Sequence, residues 1–134
     1  MPHEEIDPHA AHARQQEGWS YVDVRTPEEF AEGHPQGAVN VPVIMFTPGG
    51  AELNAEFIRA VSSLFPKDAP LLMGCKSGGR SARACEMLSA AGYMRLANVG
   101  GGFHGSPTTP GWSASGLPTA SDGQTWDTVR KQLR

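Results

Sequence analysis

Leu71-Leu72-Met73-Gly74-Cys75-Lys76-Ser77-Gly78-Gly79-Arg80-Ser81 is the stretch whose reading decides this chain. A short apolar run, the pattern of a buried strand, stops at a cysteine. Five small or basic residues follow, and the spacing predicts a helix from Ser81 to Ala91, stopped by Gly92. A thiol at such a strand end sits where backbone N–H groups converge and a helix dipole points outward. Gly78 and Gly79 let the backbone curl so that successive N–H groups form an anion-binding nest. Both effects favour thiolate over thiol and hold an incoming anion. Lys76 and Arg80 add positive charge. A thiolate made by the loop itself needs no general base, unlike a protease-like Cys/His pair.

Strand and helix patterns alternate on either side of this stretch. Asp7-Pro8 starts a helix, with Asp7 as N-cap and Pro8 at the first helical position, that runs to Gln16-Glu17 and closes at Gly18. Trp19 to Val24 reads as a buried strand. Thr26-Pro27-Glu28-Glu29 is a capping box that opens a short helix ending at Gly33. Ala38 to Val41 is a second strand, stopped by Pro42, and Thr47 to Gly50 is a turn or loop. Asn54 caps a helix with Phe57, Ile58, Val61, Leu64 and Phe65 at helical spacing. Met94 to Val99 is a further strand, punctuated by Gly100-Gly101-Gly102. Phe103 to Gly116 is irregular. A last helix from Thr125 carries Trp126, Val129 and Leu133 on one face as a docking stripe. Alternating strands and helices predict an α/β fold with a mostly parallel sheet covered on both faces. Ligands in such sheets bind beyond the carboxyl ends of the strands, where Cys75 and Asp23-Val24-Arg25 both fall.

The 134 residues suit one domain with one core. A net charge of -3 gives no reason to expect nucleic acid. From Cys75 to Arg95, however, four basic residues (Lys76, Arg80, Arg83, Arg95) oppose one acidic residue, Glu86, a local +3 that favours an anionic ligand. The two cysteines, Cys75 and Cys85, are too few for a disulfide scaffold. With Cys85 nearly three turns along the helix, their Cα atoms cannot approach to the about 4.4–6.8 Å that a disulfide needs. Two free thiols point to a reducing compartment. The polar, acidic N-terminus has no signal-peptide pattern, and no apolar run approaches the roughly 18 residues that span a membrane. The expected setting is cytoplasmic.

Four motifs in order resemble the rhodanese family of single-domain sulfurtransferases. Tyr21-Val22-Asp23-Val24-Arg25-Thr26-Pro27-Glu28-Glu29-Phe30 resembles its Asp-x-Arg signature with an acidic helix start. Gly33 to Pro42 resembles its Gly-His-Ile-Pro-Gly-Ala segment, with Pro35 and Gln36 in place of Ile and Pro. Cys75 to Ser81 matches the active-site loop, and Gly101-Gly102, Trp112 and Gly116-Leu117-Pro118 the closing signature. The resemblance spans Asp7 to Pro118. It implies a rhodanese-like three-layer sandwich in one domain over 1–134, with a core of about 7–118 and a helical tail over 119–134. It also implies a mechanism. Cys75 takes the sulfane sulfur of thiosulfate or a related anionic donor, carries it as a transient persulfide, and gives it to cyanide, a thiol or a sulfur-acceptor protein. Lys76, Ser77, Gly78, Gly79 and Arg80 would bind the donor and persulfide. No metal, organic cofactor, nucleic acid or membrane partner is expected. The six-residue Cys-x4-Arg loop resembles those that fit a sulfane sulfur, whereas related cysteine phosphatases use Cys-x5-Arg. A phosphatase or arsenate reductase is therefore the weaker reading, and a non-turnover sulfur relay the closer alternative. One departure stands out: nine residues, Phe103 to Gly111, separate Gly102 from Trp112 and are placed to fold over the site mouth.

The remaining polar residues have plainer readings. Lys-Ser-Gly-Gly-Arg is poor core material, so Cys75 is not simply a buried structural cysteine. Cys85 reads as a small apolar residue on a buried helix face. Arg80 has a second reading, pairing with a carboxylate to brace the loop, and Asp23 and Arg25 fit a supporting role better than direct catalysis. Glu28, Glu29 and Glu32 are capping and solvated groups. His9 and His12, with His3 nearby, lack a third ligand and form a solvated face. His34 orders a turn, His104 lies in the insertion, and Trp112 belongs to the core.

Overall fold

The punctuation residues act through the chemistry that singled them out. The structure, a computed structural model, describes residues 3–133; residues 1, 2 and 134 lie outside the described residues. In chain order the elements are β1 (Glu4–Ile6), α1 (Pro8–Gln16), β2 (Ser20–Asp23), α2 (Pro27–Glu32), β3 (His34–Pro35), β4 (Val39–Asn40), β5 (Ile44–Thr47), β6 (Gly50–Leu53), α3 (Phe57–Leu64), β7 (Leu71–Gly74), α4 (Gly79–Ala90), β8 (Leu96–Val99), β9 (Thr119–Ala120) and α5 (Trp126–Lys131). Asp7 caps α1, its Oδ1 accepting from Ala10 N at 2.8 Å. The Thr26–Glu29 capping box closes in both directions, at 3.3 and 3.1 Å. Thr125 accepts from Thr128 N to start α5.

Strands β2, β4 and β8 are shorter than their sequence patterns, at Ser20–Asp23, Val39–Asn40 and Leu96–Val99, and two helix starts differ for a local reason. Helix α4 begins at Gly79, not Ser81, because Gly78 takes φ +120° and turns the chain straight from the loop into the helix. Asn54 is not the N-cap of α3. Its Oδ1 accepts from Glu56 N at 3.0 Å and its amide donates to Pro42 O, ordering the turn one step earlier.

Five strands form one sheet in the order β1-β8-β7-β2-β4, and every neighbouring pair is parallel. Alternation along the strands divides the core. Leu71 and Met73 of β7 join Val22 and Leu96 on one face, under α3, α4 and α5 through Phe57, Val61, Cys85, Leu88, Trp126 and Val129. Leu72, Tyr21, Ala97 and Val99 lie on the other, under Ala11 of α1, Phe30 of α2 and the Phe103–Trp112 segment. This is the three-layer α/β sandwich.

The apolar core reaches past 7–118 at both ends. β1 is an edge strand paired with β8, and the tail docks Trp126 and Val129 beneath the sheet. β3 and β9 pair antiparallel and tie the tail to the segment after α2. The Thr47–Gly50 turn sits inside an exposed β5–β6 hairpin. No helix among the described residues is long and apolar enough to cross a membrane.

The topology also locates a crevice. From β2 the chain steps outward to β4, whereas from β7 it steps the opposite way to β8. The neighbouring β2 and β7 therefore flank a switch point, where the loops leaving their carboxyl ends part.

Candidate active site

Cys75 is the first residue beyond β7, at that switch point, and only 2% of it is exposed. Gly74 before it has no room for a side chain: an added Cβ would overlap the Tyr21 hydroxyl. Gly78 then folds the loop back, and its N–H donates to Cys75 Sγ at 3.1 Å. Ser81 Oγ, in the first turn of α4, lies 3.4 Å from the same sulfur. The bare N-terminus of α4 adds its positive end, since Gly78 offers no capping side chain. Lys76, Ser77 and Gly79 are exposed around this sulfur. The geometry is that of one buried, hydrogen-bonded sulfur beneath a polar, cationic rim.

Arg80 is engaged elsewhere. Its guanidinium makes a bidentate pair with Glu29 of α2, at 2.8 and 3.0 Å. This pair is the contact that the bracing reading expects, and Glu29 is its partner as well as a capping residue. Burial raises the Glu29 carboxyl, but bonds from Arg80 and the Thr26 N–H outweigh it and hold it at about 2. The same pair raises Arg80.

This brace has a signed pH dependence. The folded carboxyl lies below its ordinary 4.5, so its contribution is present above that pH and is lost as pH falls toward about 2. Glu29→Gln should cost about 1 kcal/mol at pH 7, the scale of a partly solvated bidentate pair. The difference from wild type should vanish near the bottom of that window, as acid unfolding monitored by circular dichroism would report.

Asp23 and Arg25 pair with each other, both 1% exposed, through contacts of 2.7 to 3.1 Å. Arg25 also donates to Gly33 O and lies 4.7 Å from the centre of the Phe103 ring. Their support of the loop is thus indirect, through Phe103, whose N–H donates to Cys75 O at 2.8 Å. Asn40, fully buried, donates to Asp23 O and Arg25 O and accepts from Trp126 N, so it pins the β2 turn and α5 together.

The insertion meets the loop through its backbone, Phe103 N on Cys75 O and His104 N on Lys76 O at 2.9 Å, and a Gly105–Pro110 bridge closes it. His104 is exposed and edge-on to Phe103.

The remaining singled-out residues fall in place. Cys85 is buried in the core, and its thiol is pushed up to about 12 by burial and then by the charges of Glu5 and Glu86. Both cysteines are free. Trp112 is fully buried, its Nε1 donating to Pro118 O at 2.7 Å. His34 stacks on Phe30 and bonds its carbonyl, ordering the turn. His12 departs from the solvated reading, being half-buried and edge-on to Trp112. Sequence reasoning assigned no role to Asn40, Asn98 or Glu5, nor to Glu29 as partner of Arg80. The available signal for the two asparagines was an amide set inside an otherwise apolar strand pattern.

Known proteins are similar to the chain over most of its length. Residues 7–106 match the Rhodanese-like domain family. Thiosulfate sulfurtransferase 18 of Arabidopsis thaliana is 45% identical over 100 residues, which cover 73% of this chain and 74% of that protein. Thiosulfate sulfurtransferase 16, chloroplastic, from the same plant is 41% identical over 102 residues, 76% of this chain and 80% of that protein. The crystal structure of Rv0390 from M. tuberculosis superposes with a TM-score of 0.74 at 28% identity, over 89% of this chain and 98% of that chain. With the family matched across most of its length and its cysteine loop at the sheet's switch point, the chain belongs to the rhodanese-like domain family.

Proposed function

We propose that the chain is a sulfurtransferase that moves a sulfane sulfur through a persulfide on Cys75. The observation that carries this reading is the placement of Cys75 Sγ, buried at the end of β7, with the Gly78 N–H 3.1 Å away. A hydrogen bond from an oriented N–H, at the positive end of α4, stabilises negative charge on sulfur. The thiolate attacks the outer sulfur of thiosulfate. The sulfur–sulfur bond breaks, its electron pair leaves on sulfite, and the outer sulfur joins Sγ. An acceptor, cyanide or a thiolate, then attacks that sulfur, and the electron pair of the Cys75 bond returns to Sγ. The protein gains and loses one sulfur atom per cycle with no net oxidation.

The loop residues divide the work. The Gly78 N–H holds the Cys75 sulfur, and the backbone N–H groups of the Lys76–Arg80 loop around it receive the anionic donor and the persulfide. Lys76, the exposed cation of the loop, draws the donor. Arg80 holds the loop to α2 through Glu29 and adds its positive field to that of Lys76. Asp23 and Arg25 support Phe103 behind the loop. The reading needs neither metal nor organic cofactor.

Thiocyanate formation from thiosulfate and cyanide tests this reading, and the wild-type chain should make it. A chain that makes none but hydrolyses an aryl phosphate through Cys75 would instead be a phosphatase. Against that outcome stands the six-residue Cys75–Arg80 loop, whose arginine is already committed to Glu29.

A further inference from the structure

A polar chain runs from the edge of the sheet to the Cys75 sulfur. Glu5 of β1 lies beside Asn98 of β8 in the parallel register. Asn98 is 3% exposed, and its Nδ2 donates to both oxygens of Glu5, at 2.9 and 3.1 Å, and to Gly78 O at 3.3 Å. A carboxylate and a carbonyl only accept, so the amide's N–H₂ end must face them and Oδ1 must face α4. There Oδ1 accepts from Ser81 Oγ at 2.5 Å. Ser81 has a single hydroxyl proton and three acceptors in reach: Asn98 Oδ1, Gly78 O at 3.2 Å and Cys75 Sγ at 3.4 Å. The short, buried Asn98 contact takes that proton. The sulfur then receives one donor, Gly78 N, where two stand within reach.

We propose that Asn98, oriented by Glu5, is a positioning residue for Cys75: it withholds the Ser81 hydroxyl proton from the sulfur and so sets how readily Cys75 reacts. The inference rests on the reading of Cys75 as the nucleophile. It adds that reactivity is governed from the far side of the sheet edge, by residues that do not touch substrate. Releasing Ser81 from Asn98 lets it donate to the sulfur and favours the reactive thiolate.

The other charged and titratable groups nearby are Lys76 and Arg80 at the loop, Tyr21, Asp23 and Arg25 from β2 and its turn, His3 beside Glu5, and Cys85, whose thiol feels both Glu5 and Glu86. The Asn98 and Ser81 variants alter none of these groups, whereas Glu5→Ala also removes the partner of His3 Nε2, 3.0 Å away.

The test is alkylation of Cys75 by iodoacetamide across pH in the full chain, with the adduct located by peptide mass. It needs no sulfur donor, so its outcome is separate from that of the transfer assay. Asn98→Leu should move the midpoint of the profile to lower pH by about half a unit, roughly a threefold gain in rate at a fixed pH below it. Ser81→Ala alone should leave the midpoint near that of wild type, and the Asn98→Leu shift should disappear in its background. Because Asn98 is buried, Glu5→Ala, at a side chain 57% exposed, provides a second variant in the same direction. Glu5→Gln keeps an acceptor for Asn98 and should restore the wild-type midpoint. The proposal is overturned if folded Asn98→Leu and Glu5→Ala chains both keep the wild-type profile. It is equally overturned if the shift survives in Ser81→Ala, or if Glu5→Gln moves as far as Glu5→Ala, which would mark a bare field effect of the charge.

Discussion

Cys75→Ser is expected to lose thiocyanate formation by about a thousandfold or more, because a serine hydroxyl at the same place neither ionises near neutral pH nor carries sulfane sulfur. The substitution is close to isosteric, and the residue's backbone bonds, Cys75 O to Phe103 N among them, do not depend on the side chain. The variant should therefore fold, which circular dichroism would verify before the assay. Cys85 is the control. It sits in the apolar core with its thiol pushed up to about 12, so it is not a nucleophile at neutral pH. Cys85→Ser should retain the activity while losing about 1–3 kcal/mol of stability by burying a hydroxyl among apolar groups. Full activity in Cys75→Ser would remove the basis of both the transfer and the relay readings.

Gly102→Ala carries the second large effect, and it acts on the loop from outside. Gly102 has φ +54°, and a Cβ there would overlap Cys75 O and come within 2.7 Å of Lys76 O. Those two carbonyls are the ones that accept from Phe103 N and His104 N. Neither backbone can retreat without breaking these bonds, so the methyl group must push the loop out of place. We expect a loss of about 2–4 kcal/mol in stability, combining left-handed strain with overpacking. A loss of more than about a hundredfold in thiocyanate formation should accompany it, since a displacement on the order of 1 Å at a catalytic group costs that much. Thermal unfolding and the transfer assay read the two effects separately. Gly79, whose Cβ position is open, is the contrast: Gly79→Ala should fold with near wild-type stability.

Much of this site was legible because its signals are local. A strand that ends in a cysteine, glycines that permit a reversal, and helix-start residues each depend on a few neighbours. Asp7, the Thr26–Glu29 box and the Leu71–Gly74 strand accordingly stand where their patterns put them. Helix α4 starts two residues before its sequence pattern suggests, because a glycine with positive φ can open a helix with no capping side chain. β1 and the β5–β6 hairpin were not legible. Glu4-Glu5-Ile6 is too short and acidic to look like a strand and gains its place only from pairing with β8. The hairpin is largely exposed and shows no apolar alternation.

Long-range partners were hidden for a related reason. The Arg80–Glu29 pair spans 51 positions and the Glu5–Asn98 pair 93, and no spacing rule connects residues that far apart. Asn40 and Asn98 show the same limit from inside the sheet. Each reads as a break in an apolar run, yet each is buried because it satisfies backbone or side-chain groups on neighbouring elements.

The persulfide itself is the most direct thing to observe. After incubation of the wild-type chain with thiosulfate and removal of excess reagent, intact mass should rise by about 32 Da, one sulfur atom, on a peptide containing Cys75. The gain should disappear on adding cyanide and be absent in Cys75→Ser. An unchanged mass, or a gain located on Cys85, would contradict a thiosulfate-loaded persulfide at Cys75.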